Sequence, residues 1–420
     1  MRLHPLTPLL RGARFGLVLL AVFGQQGLRA EEPVASLGLL AVGIALAAGL
    51  GYVSWRVTRY RLTETELQVE NGVLTRRSRR VPLARLQSVD VVRPLFARLL
   101  GLAELRLEVA GGGDTEAPLQ YLAEDDAHRL RVRLLDLAAG RTTDDGESAP
   151  APPERVLVAV PSGPLVWSTL LGAPLVTAVL LLVALVVAAL TDLRATGGVL
   201  LGAGPLLLGV GAQAVRRILA EYGFTVAESP DGLRLRHGLL ETRSATIPPG
   251  RVQLVRVREP LLWRPFGWVR VEVDVAGYAG GGGDEQAATT ALLPVAPKAL
   301  AVALVARVLG DDLPAPDRPA PPAARLRVPV QQRRLAVGVD DRHVVSTYGV
   351  LTLVLDVVPL AKAQSIRLLD GPWQRRLGLA TVRVDTAGRR LPGTALLHRD
   401  AEEARALVAD LTTRARAARR

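Results

Sequence analysis

The sequence predicts an α+β membrane protein with two transmembrane helical hairpins (four helices) and three antiparallel β modules, each capped by a C-terminal helix. Three observations carry that prediction. One block of residues recurs three times, strands within each copy alternate apolar and polar side chains, and four apolar segments have the scale of a bilayer.

The repeat is read first, because it fixes the unit of architecture. Aligning Arg85, Arg251 and Lys362 needs no gap. Upstream stand Gly72, Gly238 and Gly349, then Pro82, Pro248 and Pro359. Downstream come Gln87, Gln253 and Gln364, then Arg98, Arg264 and Arg375, then Gly101, Gly267 and Gly378. Each copy closes on an Ala-Gly pair: Ala110-Gly111, Ala276-Gly277 and Ala387-Gly388.

The copies read as β modules. Gly72, Gly238 or Gly349 turns one alternating strand into the next, and the repeated proline, lacking an N–H, belongs at a strand start or an edge. The clearest strands follow Gly101, Gly267 and Gly378: Leu105–Val109, Val271–Val275 and Val382–Asp385. Strict alternation there means one wet face and one buried face. A helix closes each copy; the third starts at Asp400 with Glu403 in capping-box spacing and buries Ala404, Leu407, Val408 and Leu411.

The block Pro82–Gly111 and its two copies, with the N-terminal His4-Pro5-Leu6-Thr7-Pro8-Leu9-Leu10-Arg11-Gly12 ahead of an apolar run, resembles the bacterial pleckstrin-homology-like, membrane-flanked domains of the YdbS/YdbT type. The resemblance covers nearly the whole chain. It implies PH-like modules, each a seven-stranded bent sheet capped by a helix, beside transmembrane helices. An envelope-protection role follows by that analogy only, since fold does not fix function. Copy three departs most: Gly371-Pro372 shifts a proline by one, and Ser346 and Tyr348 replace their counterparts.

Composition agrees with a membrane protein. Of 420 residues, 49% are apolar and only 4% aromatic, and the formal charge of +12 is carried almost wholly by arginine. No cysteine is present, so disulfide and thiolate chemistry are excluded. The uncharged stretch Pro33–Trp55 has 23 residues, Ala195–Val215 has 21, and Val156–Thr191 has 36, with Trp167–Leu190 as its expected span after Pro161 and Pro164. A helix needs about 20 apolar residues to cross the hydrocarbon core. The weaker Phe15–Leu28 is read as a membrane helix in preference to a signal peptide, because a hairpin partner follows at once and no small-residue cleavage site stands out. Gly198 and Gly202 form a Gly-xxx-Gly step, read as helix packing.

Arginines flank the hairpins on one side: Arg2, Arg11 and Arg14, then Arg56, Arg59 and Arg61, then Arg216 and Arg217. The connecting turns are nearly neutral. The positive-inside rule puts both termini and all three modules in the cytoplasm of a bacterial inner membrane. Gln253 to Gln364 is 111 residues and Gln87 to Gln253 is 166, so about one hairpin of extra chain lies between copies one and two. The expected domains are a hairpin over 1–58, a module over 59–140, a linker over 141–158, a second hairpin over 159–217, modules over 218–310 and 325–415, and a proline-rich, semi-rigid spacer over 311–324.

No catalytic constellation stands out. His-Glu-x-x-His, Gly-x-Ser-x-Gly and P-loop signatures are missing, and His4, His128, His237, His343 and His398 lack metal-ligand spacing. The chain is read as no enzyme, with no cofactor and no nucleic-acid partner, since its arginines are spread across membrane flanks and sheets. Three features could carry recognition. The repeated Gln87, Gln253 and Gln364 are the first, with satisfaction of a neighbouring backbone as the plainer role. The second is an aromatic–basic turn: Phe96 with Arg98, Trp263 with Arg264, Trp373 with Arg375. It suits a lipid headgroup region and equally suits a structural anchor. The third is Arg76, Arg77, Arg79 and Arg80, found in copy one alone and placed to meet anionic lipid. The function expected is a scaffold displaying modules for protein or lipid, with an unidentified protein or a second copy as partner. The alternative is a transport or export component, against which the spans lack a buried acid, base or His.

Overall fold

The computed structural model describes residues 43, 49 and 52, then 59–63, 65–71, 77–83, 86–109, 119–138, 155–191, 193–229, 232–248, 250–275, 291–310, 312–388, 391 and 393–419. The rest of the expected first hairpin, with Gly72 and Arg76, lies outside them. Two units emerge: Met1–Ala151 with Leu240–Ala245, and Pro152–Leu239 with Thr246–Arg420.

In the first unit, β1 (Arg59–Leu62), β2 (Glu66–Asn71) and β3 (Arg77–Pro82) form an antiparallel meander. The Thr63 hydroxyl donates to the Glu66 carbonyl at 2.7 Å and accepts from its N–H at 3.1 Å, which closes the first turn. Then come β4 (Leu86–Pro94), the short helix α1 (Leu95–Leu99), β5 (Leu102–Val109), β6 (Leu119–Ala123) and α2 (Glu124–Ala138). Alternation on β5 buries Leu105 and Leu107 with Leu67, Val89 and Leu122, and α2 adds Ala127 and Leu134. Glu124, Asp125 and Asp126 stand in the first turn of α2, where the helix dipole favours acids. Beside β4 runs a strand segment from copy two: Glu241 opposite Pro94, Thr242 opposite Arg93, Arg243 opposite Val92 and Ser244 opposite Val91.

The second unit opens with β7 (Arg155–Ala159), which pairs with β8 (Thr225–Ser229) only after three helices intervene: α3 (Ser162–Leu170), α4 (Ala173–Thr191) and α5 (Leu193–Glu221). The helical hairpin is therefore an insertion between two neighbouring strands, and residues 155–158, expected in a linker, belong to the sheet. Ser162–Thr191 and Thr196–Glu221 are long and apolar enough to cross a membrane. Their apolar side chains point outward: Leu190 and Leu201 are 82% exposed and Leu208 75%. Pro161 caps the start of α3 and Pro164 lies in its first turn, so neither breaks the segment; the interruption falls between Leu170 and Ala173. A β-carbon on Gly198 or Gly202 would meet nothing within 4 Å, so this step packs no described helix.

After the hairpin follow β9 (Gly232–His237), β10 (Glu241–Ile247), β11 (Val252–Pro260), a 3-10 turn at Leu261–Phe266, β12 (Trp268–Val275), β13 (Ala291–Pro297) and α6 (Lys298–Leu309). Copy three supplies β14 (Arg318–Pro319), β15 (Ala336–Val339), β16 (His343–Tyr348), β17 (Thr352–Pro359), β18 (Ala363–Leu369), α7 (Pro372–Arg376), β19 (Leu379–Thr386), β20 (Gly393–Asp400) and α8 (Ala401–Ala417). One seven-stranded sheet runs β13-β12-β11-β17-β16-β15-β14, so three strands of copy two continue into four of copy three. The resemblance implies seven strands per module; this sheet instead shares its seven between two copies. Copy three then packs its first half over β18-β19-β20, where Val344, Val358, Val382, Val384 and Leu396 meet Leu407 and Leu411 of α8.

The stretch read as a spacer over 311–324 is packed instead. Arg318 pairs with Val337 and Pro319 with Ala336, while Ala320 and Ala324 are buried with Leu335 and Leu379. Its prolines fix an edge strand and the start of the 3-10 turn Pro322–Leu326, and its alanines supply contact area. Pro82 ends β3, an edge strand, in keeping with the edge placement expected of it, and Pro359 ends β17 and does not begin it.

Gly101, Gly267 and Gly378 hold φ of +65°, +63° and +65° just before their strands, a left-handed conformation that side chains resist. Gly267→Val is expected to cost about 1–3 kcal/mol. Gly349→Ala is expected to cost more: its φ is +98°, and a β-carbon would collide with the Thr352 carbonyl oxygen, which is backbone and yields poorly. Thermal melting of the two full-length variants checks the order; equal midpoints would contradict it.

Candidate functional site

The end of α5 does not stop at the last apolar residue. It runs on through Arg216, Arg217 and Glu221 into the second unit's sheets. Glu221, 3% exposed, accepts from Arg270 on β12 at 2.7 Å and from Arg217, one helical turn back, at 3.2 Å. Arg270, 11% exposed, also meets Glu272 at 3.1 Å. Burial alone would lower the Arg270 guanidinium, but the carboxylates of Glu221 and Glu272 outweigh it and hold it above its ordinary value.

Two contacts extend this lock. The Trp263 indole N–H donates to the Ser168 carbonyl of α3 at 3.0 Å, and the Arg217 guanidinium lies over the same ring, 5.9 Å from its centroid. The His237 ring nitrogen Nδ1 is 2.7 Å from the Ala220 carbonyl, and the ring stacks on buried Phe224. Both arms of the hairpin are thus fastened to one module. By sequence Trp263 suits a lipid contact or a structural anchor; at 3% exposure it is a buried anchor, because its N–H finds an acceptor on α3.

Copy three, with no hairpin, fills the equivalent positions differently. Gln374 stands at the repeat position of Trp263 and Thr381 at that of Arg270. The Gln374 amide nitrogen donates to Thr381 Oγ1 at 2.9 Å and lies 3.0 Å from His398 Nδ1. Burial, with Arg327 nearby, lowers the His398 pKa. Trp373, one residue earlier, is 65% exposed with Arg376 over its ring, and Arg375 lies 3.7 Å from Asp370.

The seam between copies two and three holds a second buried charge. Asp356, fully buried, accepts from Arg256 Nε at 2.7 Å and Nη2 at 2.9 Å, from Tyr348 Oη at 3.1 Å and from Thr394 Oγ1 at 3.0 Å. Burial first, then Asp356, raises the Tyr348 phenol well above its usual range, so it remains a donor. Arg264 joins this seam by donating to the Val350 carbonyl at 2.6 Å.

The remaining predicted residues separate by copy. Gln253 is 5% exposed and its amide donates to the Arg251 carbonyl at 3.2 Å, the plainer role; Gln364 is exposed on β18. Gln87 lies on β4 and Phe96 on α1, with side chains outside the described ones; Arg98 is exposed and reaches Thr242 Oγ1 at 3.4 Å. Arg77, Arg79 and Arg80 lie on β3, and Arg80 is exposed. Sequence reasoning missed Glu221, Arg270 and Asp356. A comparison of copies carries the signal: Arg270 stands where the others have Glu104 and Thr381, and Asp356 where they have Arg79 and Ala245.

Comparison with known proteins places these modules. The Bacterial PH domain family matches this chain three times, over residues 15–138, 168–311 and 293–415. The chain is 22% identical over 334 residues to the UPF0699 transmembrane protein YdbT of Bacillus subtilis (strain 168), covering 70% of this chain and 66% of that relative, just under two thirds of its length. No solved structure matches. With the repeat, the antiparallel sheets and three family matches in agreement, the chain belongs to the Bacterial PH domain family.

Proposed function

We propose that this protein is a multi-pass scaffold of the bacterial cytoplasmic membrane. Four transmembrane helices, in two hairpins, display three cytoplasmic PH-like modules, each closed by a helix, for binding protein, lipid or both. The observation that carries this reading is the lock formed by Glu221, Arg270 and Trp263, which fastens an apolar hairpin to a β module. A rigid junction suits a device that holds binding surfaces at a set height above a bilayer. A relative whose name calls it a transmembrane protein, and the outward apolar surface of Leu190, Leu201 and Leu208, support the membrane assignment. A transport role is disfavoured because Ser162–Thr191 carries no ionisable side chain. No catalytic role is assigned to any residue.

The lipid arm of the reading rests on Arg76, Arg77, Arg79 and Arg80, each contributing about 1 kcal/mol near an anionic leaflet. Two measurements test the proposal. Reporters placed after Arg420 or within 139–153 should read cytoplasmic, and one within 191–196 external; the reverse pattern would sink the topology. In nanodiscs, amide exchange over Arg77–Pro82 should be slower with anionic than with zwitterionic lipid, and the difference should disappear in high salt. Equal exchange in both lipids removes the lipid arm and leaves protein partners.

A further inference from the structure

Strand β18 carries an edge built like the two seam edges, with no strand lying on it. Among the described residues it pairs with β19 alone. Its counterparts β4 and β11 each carry a strand of the following copy. The two pairings share one register, since Pro94 opposite Glu241 and Pro260 opposite Thr352 are the same repeat positions. No strand of a further copy lies on β18 among the described residues, and the consequence is visible residue by residue. Gln253 and Leu254 are 5% and 0% exposed, whereas their counterparts Gln364 and Ser365 are exposed. Leu368 and Leu369 stand 36% and 42% exposed on the same strand.

Charge defines what would cover it. On β11, Arg256 reaches across the seam to Asp356. Its counterpart Arg367 has no such acid and turns back to Asp385 at 2.7 Å, which Arg383 also holds at 3.0 Å. Two guanidinium groups, 55% and 40% exposed, share one carboxylate there, leaving the edge with surplus positive charge. We propose that β18 is an acceptor edge for a β strand supplied in trans by a partner protein: an extended aliphatic segment with one acidic residue opposite Arg367, as Asp356 stands opposite Arg256. Main-chain hydrogen bonds hold such a strand, and alternate side chains select it. Strand β3 of a second copy fits badly, because the shared register sets Arg79 opposite Arg367 and Arg80 opposite Ile366.

This assignment refines the scaffold reading by naming a partner class at one site, and its geometry is independent of membrane topology. The test adds a synthetic peptide of the β17 sequence, Thr352–Pro359, to the full chain in detergent and follows hydrogen exchange. Amides of Ala363–Leu369 should slow while those of β11 stay unchanged. Changing the peptide's acid to lysine should weaken binding about fivefold; with the Arg367→Ala chain, the two peptides should bind alike. No protection of β18 at any soluble peptide concentration, or protection of β11 in its place, would overturn the proposal. So would stronger protection by a peptide of Arg77–Pro82 together with concentration-dependent oligomers in sedimentation, which would make the edge a contact between copies. Failure here leaves the reporter results untouched, so the two readings fall separately.

Discussion

Changing Glu221 to glutamine is expected to destabilise the junction between α5 and β12 by about 3–5 kcal/mol, the cost of leaving a buried charge without its partner. Two guanidinium groups share this carboxylate, Arg217 and Arg270, the second also held by Glu272, and water does not readily replace Glu221 at 3% exposure. The measurement is hydrogen exchange of β12 and α5 amides against denaturant, in detergent. The control is Arg258→Ala, whose side chain is 45% exposed and meets Glu272 at 3.4 Å. An exposed pair of that kind contributes about 1 kcal/mol or less. If the two variants behave alike, Glu221 is not the lock described above, and the junction rests on the Trp263–Ser168 and His237–Ala220 contacts with apolar packing.

Asp356→Ala is expected to have a comparable effect at the seam, again about 3–5 kcal/mol. It leaves Arg256, Tyr348 and Thr394 aimed at a space with no acceptor. The loss should be local, opening β17 from β11 and exposing the chain between copies two and three to protease before either core melts. Asp410→Ala serves as the comparison, since its pair with Arg414 lies on the surface, 33% and 40% exposed. Limited proteolysis followed by mass spectrometry distinguishes seam opening from global unfolding. A variant cut no faster than the parent would mean that the β11–β17 ladder holds without its charge pair.

Much of the β architecture is legible in sequence because its signals are local. Alternation in Val271–Val275 reports one buried face, and a glycine needed at +63° is a glycine in every copy. The partner across a strand edge leaves no such trace. Nothing within Thr352–Pro359 states that it lies against β11, and not within its own copy's second half. That is why the four arginines of copy one read as a lipid contact. At those repeat positions copies two and three carry seam strands, so the arginines equally suit β3, which pairs with β2 alone among the described residues and whose charge discourages edge pairing. Trp263 was ambiguous for another reason: an indole beside an arginine describes both an interfacial belt and a buried anchor, and only the Ser168 carbonyl decides. The proline-rich stretch misled because composition reports stiffness and is silent on burial.

The shared seam also sets a clock on synthesis. Arg256 and Asp356 are 100 residues apart in the chain. At about 5–20 residues per second, β11 leaves the ribosome roughly 5–20 s before the strand that covers it. For that interval the nascent protein presents an uncovered β edge while its hairpin is already available to the insertion machinery. Translation speed through copy three therefore becomes a determinant of yield, and slow codons between Gly310 and Thr352 would prolong the interval in which the unfinished chain can pair with the wrong strand.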